Sequence, residues 1–412
     1  MSLVYEHLLE ITLRVYELLA DHPGPDTTAT PLAAALELPE ADVADALRRL
    51  HIAQLVDRRR GDRYQLPARL RRHVAGLRGR EQPSTRNRQR ARLVDFYAAT
   101  AAAAIPLIAP DAHRFSPPAA HEATPYLHPD ERHARAWFGW EHQVLRQVAT
   151  TAAGWGWDDV VVELAEAVWH LGRPGYHHDD LAVVQQVGHA AAQRSHPAIA
   201  AVFRAREAAA LSDLGHHDQA LAAAADAAAA ADDGEPRLVA LTYSLSGRVR
   251  LAAGQVDDAS QDLHAALRAQ RRVARDPHGH AVLHRRIGQV HLALGRVPDA
   301  LRHLRTAHEE LTRARYPLGA ARTAVPLADA LVAAGDAGAA MAELSDARSR
   351  IGATTAVRYL AALDLATART AYHLGDTGIT RRLTDTLIAQ LQHAGPGATA
   401  DLRAAHDLRD QL

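Results

Sequence analysis

A predominantly α-helical protein is the fold class that the sequence predicts, with an N-terminal winged helix-turn-helix followed by a superhelix of helix pairs. Three observations carry that expectation. A glycine recurs about every 40 residues through the C-terminal part, small residues keep step with it, and the first 66 residues alternate helical runs with turn and hairpin punctuation.

The beat is visible on aligning PGYHHDDL, LGHHDQAL, AGQVDDAS, LGRVPDAL, AGDAGAAM and LGDTGITR on Gly175, Gly215, Gly254, Gly295, Gly335 and Gly375, which are separated by 40, 39, 41, 40 and 40 residues. A register held over so many units is the mark of a repeat architecture. Small residues fall seven before the glycine (Ala208, Gly247, Gly288, Ala328, Ala368), five after it (Ala220, Ala259, Ala300, Ala340) and twelve after it (Ala227, Ala266, Ala307, Ala347). Each unit therefore reads as two antiparallel helices joined by a glycine turn, with small side chains permitting close approach. This is the tetratricopeptide (TPR) pattern. The first unit departs from it at Val168 and Asp180. The last departs at Thr380 and Leu387, as expected of a cap that meets solvent.

Such arrays coil into a superhelix whose concave face is lined by the first helix of each pair. By the repeat alignment that lining comprises Trp169, Ser244, Arg248, Arg285, Gln289, Arg322, Asp329, Arg369 and Tyr372. Arg248, Arg285 and Arg322 fall on successive repeats. They read either as one positive track for an acidic ligand or as ordinary solvated residues.

Ahead of the array, Leu3–Asp21 is an amphipathic run closed by HPGPD. TPLAAALELPEADVADALRRL then reads as two short helices with a turn at Leu38–Glu40, and LVDRRRGDRYQL as strand, Gly-Asp turn and strand. The organisation expected is a winged helix-turn-helix over 1–66, basic connecting helices over 67–104, a Pro-rich connector over 105–131, an array-leading helix over 132–156, and six TPR-like pairs over 157–412.

Composition narrows the chemistry. There is no cysteine, so no disulfide, thiolate nucleophile or zinc-thiolate site exists. There is no lysine either: all 47 Lys+Arg residues are arginine, which excludes a P-loop lysine, a Schiff-base lysine and a Ser-Lys dyad. The N-terminus has acids where a secretory signal has basic residues, and no uncharged run approaches the ~20 apolar residues of a membrane span. A cytoplasmic protein without membrane contact is the expectation.

Charge is distributed unevenly along a chain of net −1. Residues 1–47 hold one Arg against nine acids, whereas residues 48–92 hold fifteen Arg against three. A concentrated basic segment suggests a polyanionic partner. If that partner is DNA, Arg48, Arg49, Arg58, Arg59, Arg60 and Arg63 are the candidate contacts to phosphate. Against base reading, the early residues of the third helix include Glu40, Asp42 and Asp45, which repel a phosphate-lined groove.

HPGPD, the helix-turn-helix and GDRYQLPARLRRHV together resemble the winged-helix module of bacterial NB-ARC–TPR signal-transduction ATPases, a group that includes large regulators of antibiotic production. ARLVDFYAATAAAA resembles their post-wing helix. ARAWFGWEHQVLRQVATTAAGWGWDDVVVELAEAVW resembles the tryptophan-bearing segment that introduces their TPR array. The resemblance implies a regulator in which a groove ligand and a winged helix are coupled. Two departures bear on it. The family's nucleotide-binding module precedes the winged helix, and no G-x-x-x-x-G-K-[ST] exists here. The His-Asp pair that the family carries after the second wing strand is replaced by Pro67 and Ala68. No ATP binding is expected.

No catalytic or cofactor motif is complete, although 26 histidines offer many partial ones. HEELT at His308 has Thr312 where a zinc protease needs its second histidine. His280 and His284 share metal-compatible spacing, with His291 two turns on, but no third ligand is evident. His177, His178 and Asp179, and likewise His216, His217 and Asp218, occupy successive inter-helix turns. No G-x-S-x-G elbow or glycine-rich phosphate loop occurs. The expectation is a non-enzyme with no catalytic residue, metal or cofactor. Its groove would bind a peptide, protein segment or acidic ligand, coupled to a winged helix in transcriptional regulation. A pure protein-protein adaptor without DNA binding and an unusual TPR-fold enzyme or substrate-binding protein of a biosynthetic cluster are the alternatives.

Overall fold

The computed structural model describes residues 10–77, 83–109, 113–231, 234–274, 276–351 and 356–412. The expected start of the first helix at Leu3, and Arg78 and Arg80 of the basic segment, lie outside the described residues. The chain divides into two compact units, Met1–Leu171 and Gly172–Leu412.

In the first unit, α1 (Glu10–Asp21) buries Val15, Tyr16, Leu18 and Leu19, the stripe its apolar spacing dictates. After it come α2 (Ala29–Leu36) and α3 (Glu40–Ile52), whose inward face is Val43, Ala46, Leu47 and Leu50. Between them Glu37 turns the chain at φ 54°. Glu40 and Asp42 occupy the first turn of α3, where carboxylates oppose the helix dipole. β1 (Asp57–Arg58) and β2 (Tyr64–Gln65) pair antiparallel, Asp57 opposite Gln65, and Thr27 adds a bridge to Tyr64 that no sequence pattern marks. Three helices and a hairpin are consistent with a winged element.

α4 (Ala68–Leu77) and α5 (Pro83–Ile108) follow. Within α5, Ser84–Ile108 is long and apolar enough by length and composition to cross a membrane, and 67% of its most apolar window is buried. Asp95 interrupts this helix, so no uncharged run marks it in the sequence. The Asp95 carboxylate is structural, accepting the backbone N–H groups of Glu122 and Ala123, both at 2.7 Å. The Pro-rich connector, which begins after Ile108 rather than at Ile105, is pinned in the same way by Glu163 and Glu166. His121 bridges Asp95 and Glu163 at 2.5 and 2.7 Å, and the two carboxylates hold its pKa up at about 9. α6 (Glu131–Gly154), capped by Asp130, and α7 (Asp158–Gly172) complete this part of the chain.

The second unit is a run of paired helices: α8 (His178–Ser195), α9 (Pro197–Asp213), α10 (His217–Ala231), α11 (Pro236–Ala252), α12 (Val256–Gln270), α13 (Pro277–Ala293), α14 (Val297–Arg313), α15 (Pro317–Ala333), α16 (Ala337–Ile351), α17 (Val357–His373), α18 (Thr377–Leu391) and α19 (Thr399–Asp410). Prolines open α9, α11, α13 and α15, at positions where a missing N–H costs nothing. The turn glycines from Gly215 to Gly375 have φ between 70° and 85°. The residue after each donates its N–H five positions back, as His216 does to Leu211 and Arg296 to His291. This closes the helix end in a Schellman motif. Gly175 is not among the positive-φ glycines, in keeping with its atypical unit.

The small positions lie where paired helices touch. Ala220, Ala259, Ala300 and Ala340 are all 0% exposed. A Cβ on Gly288 would stand 2.6 Å from Leu304 Cγ, inside contact distance. Gly288→Val is therefore expected to lower stability by about 1–3 kcal/mol through overpacking. The readout is a lower urea midpoint at unchanged slope. A midpoint at or above wild type would show that α13 and α14 separate freely.

The array also returns to its own start. Tyr176 donates to Asp401 at 2.8 Å, and Arg358 N–H donates to the Pro174 carbonyl at 3.1 Å. Tyr176 shares one apolar cluster with Ala361, Leu365, Leu387, Ala398 and Leu408. The expectation of an open concave face did not include this closure.

Candidate functional site

Arginines reach the inside of the second unit from successive first helices. Arg248 stands six residues before Gly254, Arg285 ten before Gly295 and Arg322 thirteen before Gly335. Steps of four and three keep them on one helix face at successive turns. Their surroundings differ. Arg248 is ion-paired to Asp213. Arg285 is 6% exposed, and its Nη1 has no hydrogen-bond partner among the described residues. Arg322 lies over the Tyr359 ring, 4.6 Å from its centroid.

Three further arginines, which the repeat alignment did not single out, share this interior. Arg286 is 4% exposed; its Nη1 donates to Ser244 Oγ, and its Nε is without a partner among the described residues. Arg358 donates to both Asp213 oxygens at 2.8 and 3.1 Å and to His178 Nε2 at 2.9 Å. Arg173, half-buried, is close enough to Arg248, Arg285 and Arg322 to feel their charge.

The electrostatics follow from this crowding. Burial, then Arg322, Arg173 and Arg248, push Arg285 well below its ordinary pKa; burial and the neighbouring arginines do the same to Arg286. Arg173 falls to about 9, chiefly through burial. A guanidinium keeps its proton in proteins, so these depressions express an interior that under-compensates its positive charge. Burial alone would raise Tyr359, yet Arg322, Arg173, Arg358 and Arg285 draw it down to about 8. Burial would likewise raise Asp213, and Arg248 and Arg358 outweigh it, holding the carboxyl well below the usual range. His178, desolvated and facing Arg358, is depressed to about 3 and stays neutral, accepting from that arginine.

Carboxylates at the margin of this interior are already engaged. Asp276 caps α13 through Gly279 N–H at 2.8 Å, and Asp401 accepts from Tyr176. Of the other residues expected to line the groove, Asp329 pairs with Arg369 at 3.0 Å, Gln289 is half-buried and Tyr372 is 37% exposed. Ser244 is buried beneath Arg286. Trp169 is buried in α7, within the first unit.

The nucleic-acid candidates in the first unit are differently placed. Arg48 and Arg49 both pair with Asp45, and Arg58 pairs with Asp62. Arg59 donates to Gln65, and Arg60 is exposed. Arg63 is 5% exposed, bound to Asp26 at 2.8 Å and Glu141 at 2.5 Å. Its side chain does not face solvent: Arg63 lies just before β2 and meets Glu141 of α6. Nearby, Pro23, Gly24, Leu66, Ala68 and Arg71 border a cavity of 380 Å³.

The histidines form contacts rather than a metal shell. His280 meets Glu310 at 2.9 Å, His284 and His303 approach Nδ1 to Nδ1 at 3.2 Å, and His291 stacks on His303. Among the described residues no group of three or more His, Asp or Glu is arranged to hold a metal ion. His216 and His217 are exposed, whereas His178 is buried at the ion-pair cluster.

No protein-family profile matches the sequence, and no curated protein matches it. Solved structures match the chain at low similarity. The apo form of RapI is 10% identical over 83% of this chain and 91% of its own, with a TM-score of 0.44. BtubC from P. vanneervenii is 15% identical over 56% of this chain and 92% of its own, at 0.41. A signal-transduction ATPase with numerous domains and a tetratricopeptide repeat sensor, from Pyrococcus horikoshii, is 12% identical over 100% of this chain and 64% of its own, at 0.37. The chain is an almost entirely α-helical, TPR-like array of stacked helix pairs preceded by a small hairpin element.

Proposed function

We propose that this chain is a non-catalytic binding protein whose repeat unit holds an acidic segment of a peptide or protein partner on its inward face. The observation that carries the reading is the crowding of that face: Arg248 and Arg358 share the Asp213 carboxylate, and beside them Arg285 and Arg286 are buried, each with a guanidinium nitrogen that has no hydrogen-bond partner among the described residues. Arginine suits such a role, since its planar fork pairs bidentately with carboxylates. An adaptor role is favoured over DNA reading, because Arg48 and Arg49 share the Asp45 carboxylate, Arg58 pairs with Asp62 in the hairpin turn and Arg63 is buried. The order of hairpin element, post-wing helix and repeat array supports a finer reading. In it the chain derives from the NB-ARC–TPR regulators, with Pro67 and Ala68 in place of the nucleotide sensor.

Arg322 is the cleaner probe, being half-buried, whereas a change at Arg285 also disturbs packing. A fluorescent Glu/Asp-rich peptide should bind the full chain, and Arg322→Glu should weaken it at least about tenfold, the loss of one charge-assisted pair plus repulsion. Anisotropy measures both. Equal affinity for a neutral peptide of the same length would remove the acidic-partner reading.

A further inference from the structure

Resting on the reading that the repeat interior is a binding site, we propose what its innermost part takes: Arg285, Arg286, Arg173 and Arg322 form a receptor for a phosphoryl dianion, either free or carried on a larger ligand.

Two adjacent residues stand at its centre. Arg285 and Arg286 are 6% and 4% exposed, and each retains a guanidinium nitrogen, Nη1 and Nε respectively, without a partner among the described residues. Buried guanidinium groups are retained where they meet an anion, because a buried charge without compensation is costly. Among the described residues no carboxylate meets Arg285 Nη1 or Arg286 Nε. Asp213 is taken by Arg248 and Arg358, Asp276 by its helix cap, and Asp401 by Tyr176. The hydroxyl of Ser244 satisfies Arg286 Nη1 but brings no charge.

The chemistry of the occupant follows from charge and donor number. One carboxylate would bring one charge to two buried guanidinium groups, Arg285 and Arg286. A phosphoryl group brings about −1.5 to −2 at neutral pH and three acceptor oxygens. Arginine forks converge on such an oxyanion from several directions, which a point-charge lysine does less specifically. Arg322, half-buried above the Tyr359 ring, sits at the accessible edge and would guide the anion inward. The same arginines draw the Tyr359 hydroxyl down to about 8 against the effect of its burial.

The test uses the full chain in phosphate-free buffer, with inorganic phosphate, a phosphoserine peptide and a Glu peptide of equal length as probes. Chloride serves as the control at matched ionic strength. Calorimetric titration and thermal denaturation are the readouts. The expected result is saturable phosphate binding with a concentration-dependent rise in melting temperature. Arg285→Gln and, separately, Arg322→Gln should weaken it at least about tenfold. The Arg322 variant keeps the experiment informative where the buried change impairs folding. Binding of the phosphoserine peptide with none of free phosphate also supports the proposal and assigns the group to a larger ligand. Binding of the Glu peptide with no response to either phosphoryl probe overturns the proposal and leaves the acidic-partner reading standing. Silence from all probes overturns both. Phosphate stabilisation that is equal in wild type and in both variants places the anion elsewhere and also overturns it.

Discussion

Asp213→Ala should destabilise the second unit by about 3–5 kcal/mol, the usual cost of removing one partner from a buried ion-pair network. Asp213 accepts from Arg248 on α11 and from Arg358 at the start of α17, 145 residues away. Without it, two guanidinium groups lose their counterion in an interior that already holds Arg173, Arg285, Arg286 and Arg322. The same residue ties a late repeat to an early one, so its loss opens the closure that Tyr176 and Asp401 complete. Asp213→Asn should be nearly as damaging, because it preserves shape and removes the charge. Guanidinium denaturation of wild type and both variants decides the matter. A loss under about 1 kcal/mol would mean that the cluster is solvated enough to do without its carboxylate. A double change, Asp213→Leu with Arg358→Met, should recover part of the loss, since matched apolar replacements of buried ion pairs are often tolerated.

The same cluster gives the unit an acid limit. Asp213 has a folded pKa below its unfolded value, so its contribution is present above about pH 4 and is lost as pH falls through the folded value. His178 acts earlier. Depressed to about 3 in the fold and near 6.5 when unfolded, it lets the unfolded chain take up a proton first. Stability therefore falls as pH drops below 6.5, by up to about 1.4 kcal/mol per pH unit from this residue. His22, 2% exposed and also held at about 3 by burial, imposes the same slope on the first unit.

Local regularity made much of this fold legible. The turn glycines demand a left-handed backbone, and the small positions demand close helix contact. Both are one-dimensional signals, so the helix pairs could be placed from spacing alone. The arginines at Arg248, Arg285 and Arg322 were legible for the same reason, since each occupies a definable register within its repeat. What spacing does not contain is the return of the array to its start. Arg358 meets Asp213 and His178 only because many small rotations between repeats accumulate to closure, a sum that no single motif records. Arg286 was not legible, because register assigns it to the flank of its helix, where it nonetheless reaches Ser244. The wing departs from expectation in one respect. Arg63 reads as part of a basic run, but its guanidinium is buried between Asp26 and Glu141, carboxylates 37 and 78 residues away that no local run records.

Arg63→Met is the sharpest check on that last point, and it should cost the first unit about 3–5 kcal/mol. Arg63 lies between Asp26 and Glu141, with its guanidinium 5.9 Å from the Trp140 ring. Burial pushes the Glu141 carboxyl up, and Arg63 is the partner that opposes this. Removing the arginine strands a carboxylate that is 2% exposed and whose Oε2 already lacks a hydrogen-bond partner among the described residues. Glu141 would then take a proton, and the stability loss should shrink as pH falls toward the carboxylate range, the opposite of the His22 trend. By contrast, replacing Arg58, Arg59 and Arg60 together with Ala should change stability by less than about 1 kcal/mol, since their pairs are exposed. The two variants thus separate structure from recognition. If the chain contacts nucleic acid, the triple change should weaken that contact and make its salt dependence shallower by up to about three phosphates' worth, with the fold intact. Should Arg63→Met leave the melting curve where it was, Glu141 would have to be satisfied by other means, and the wing arginines would again have to be considered as a single basic surface.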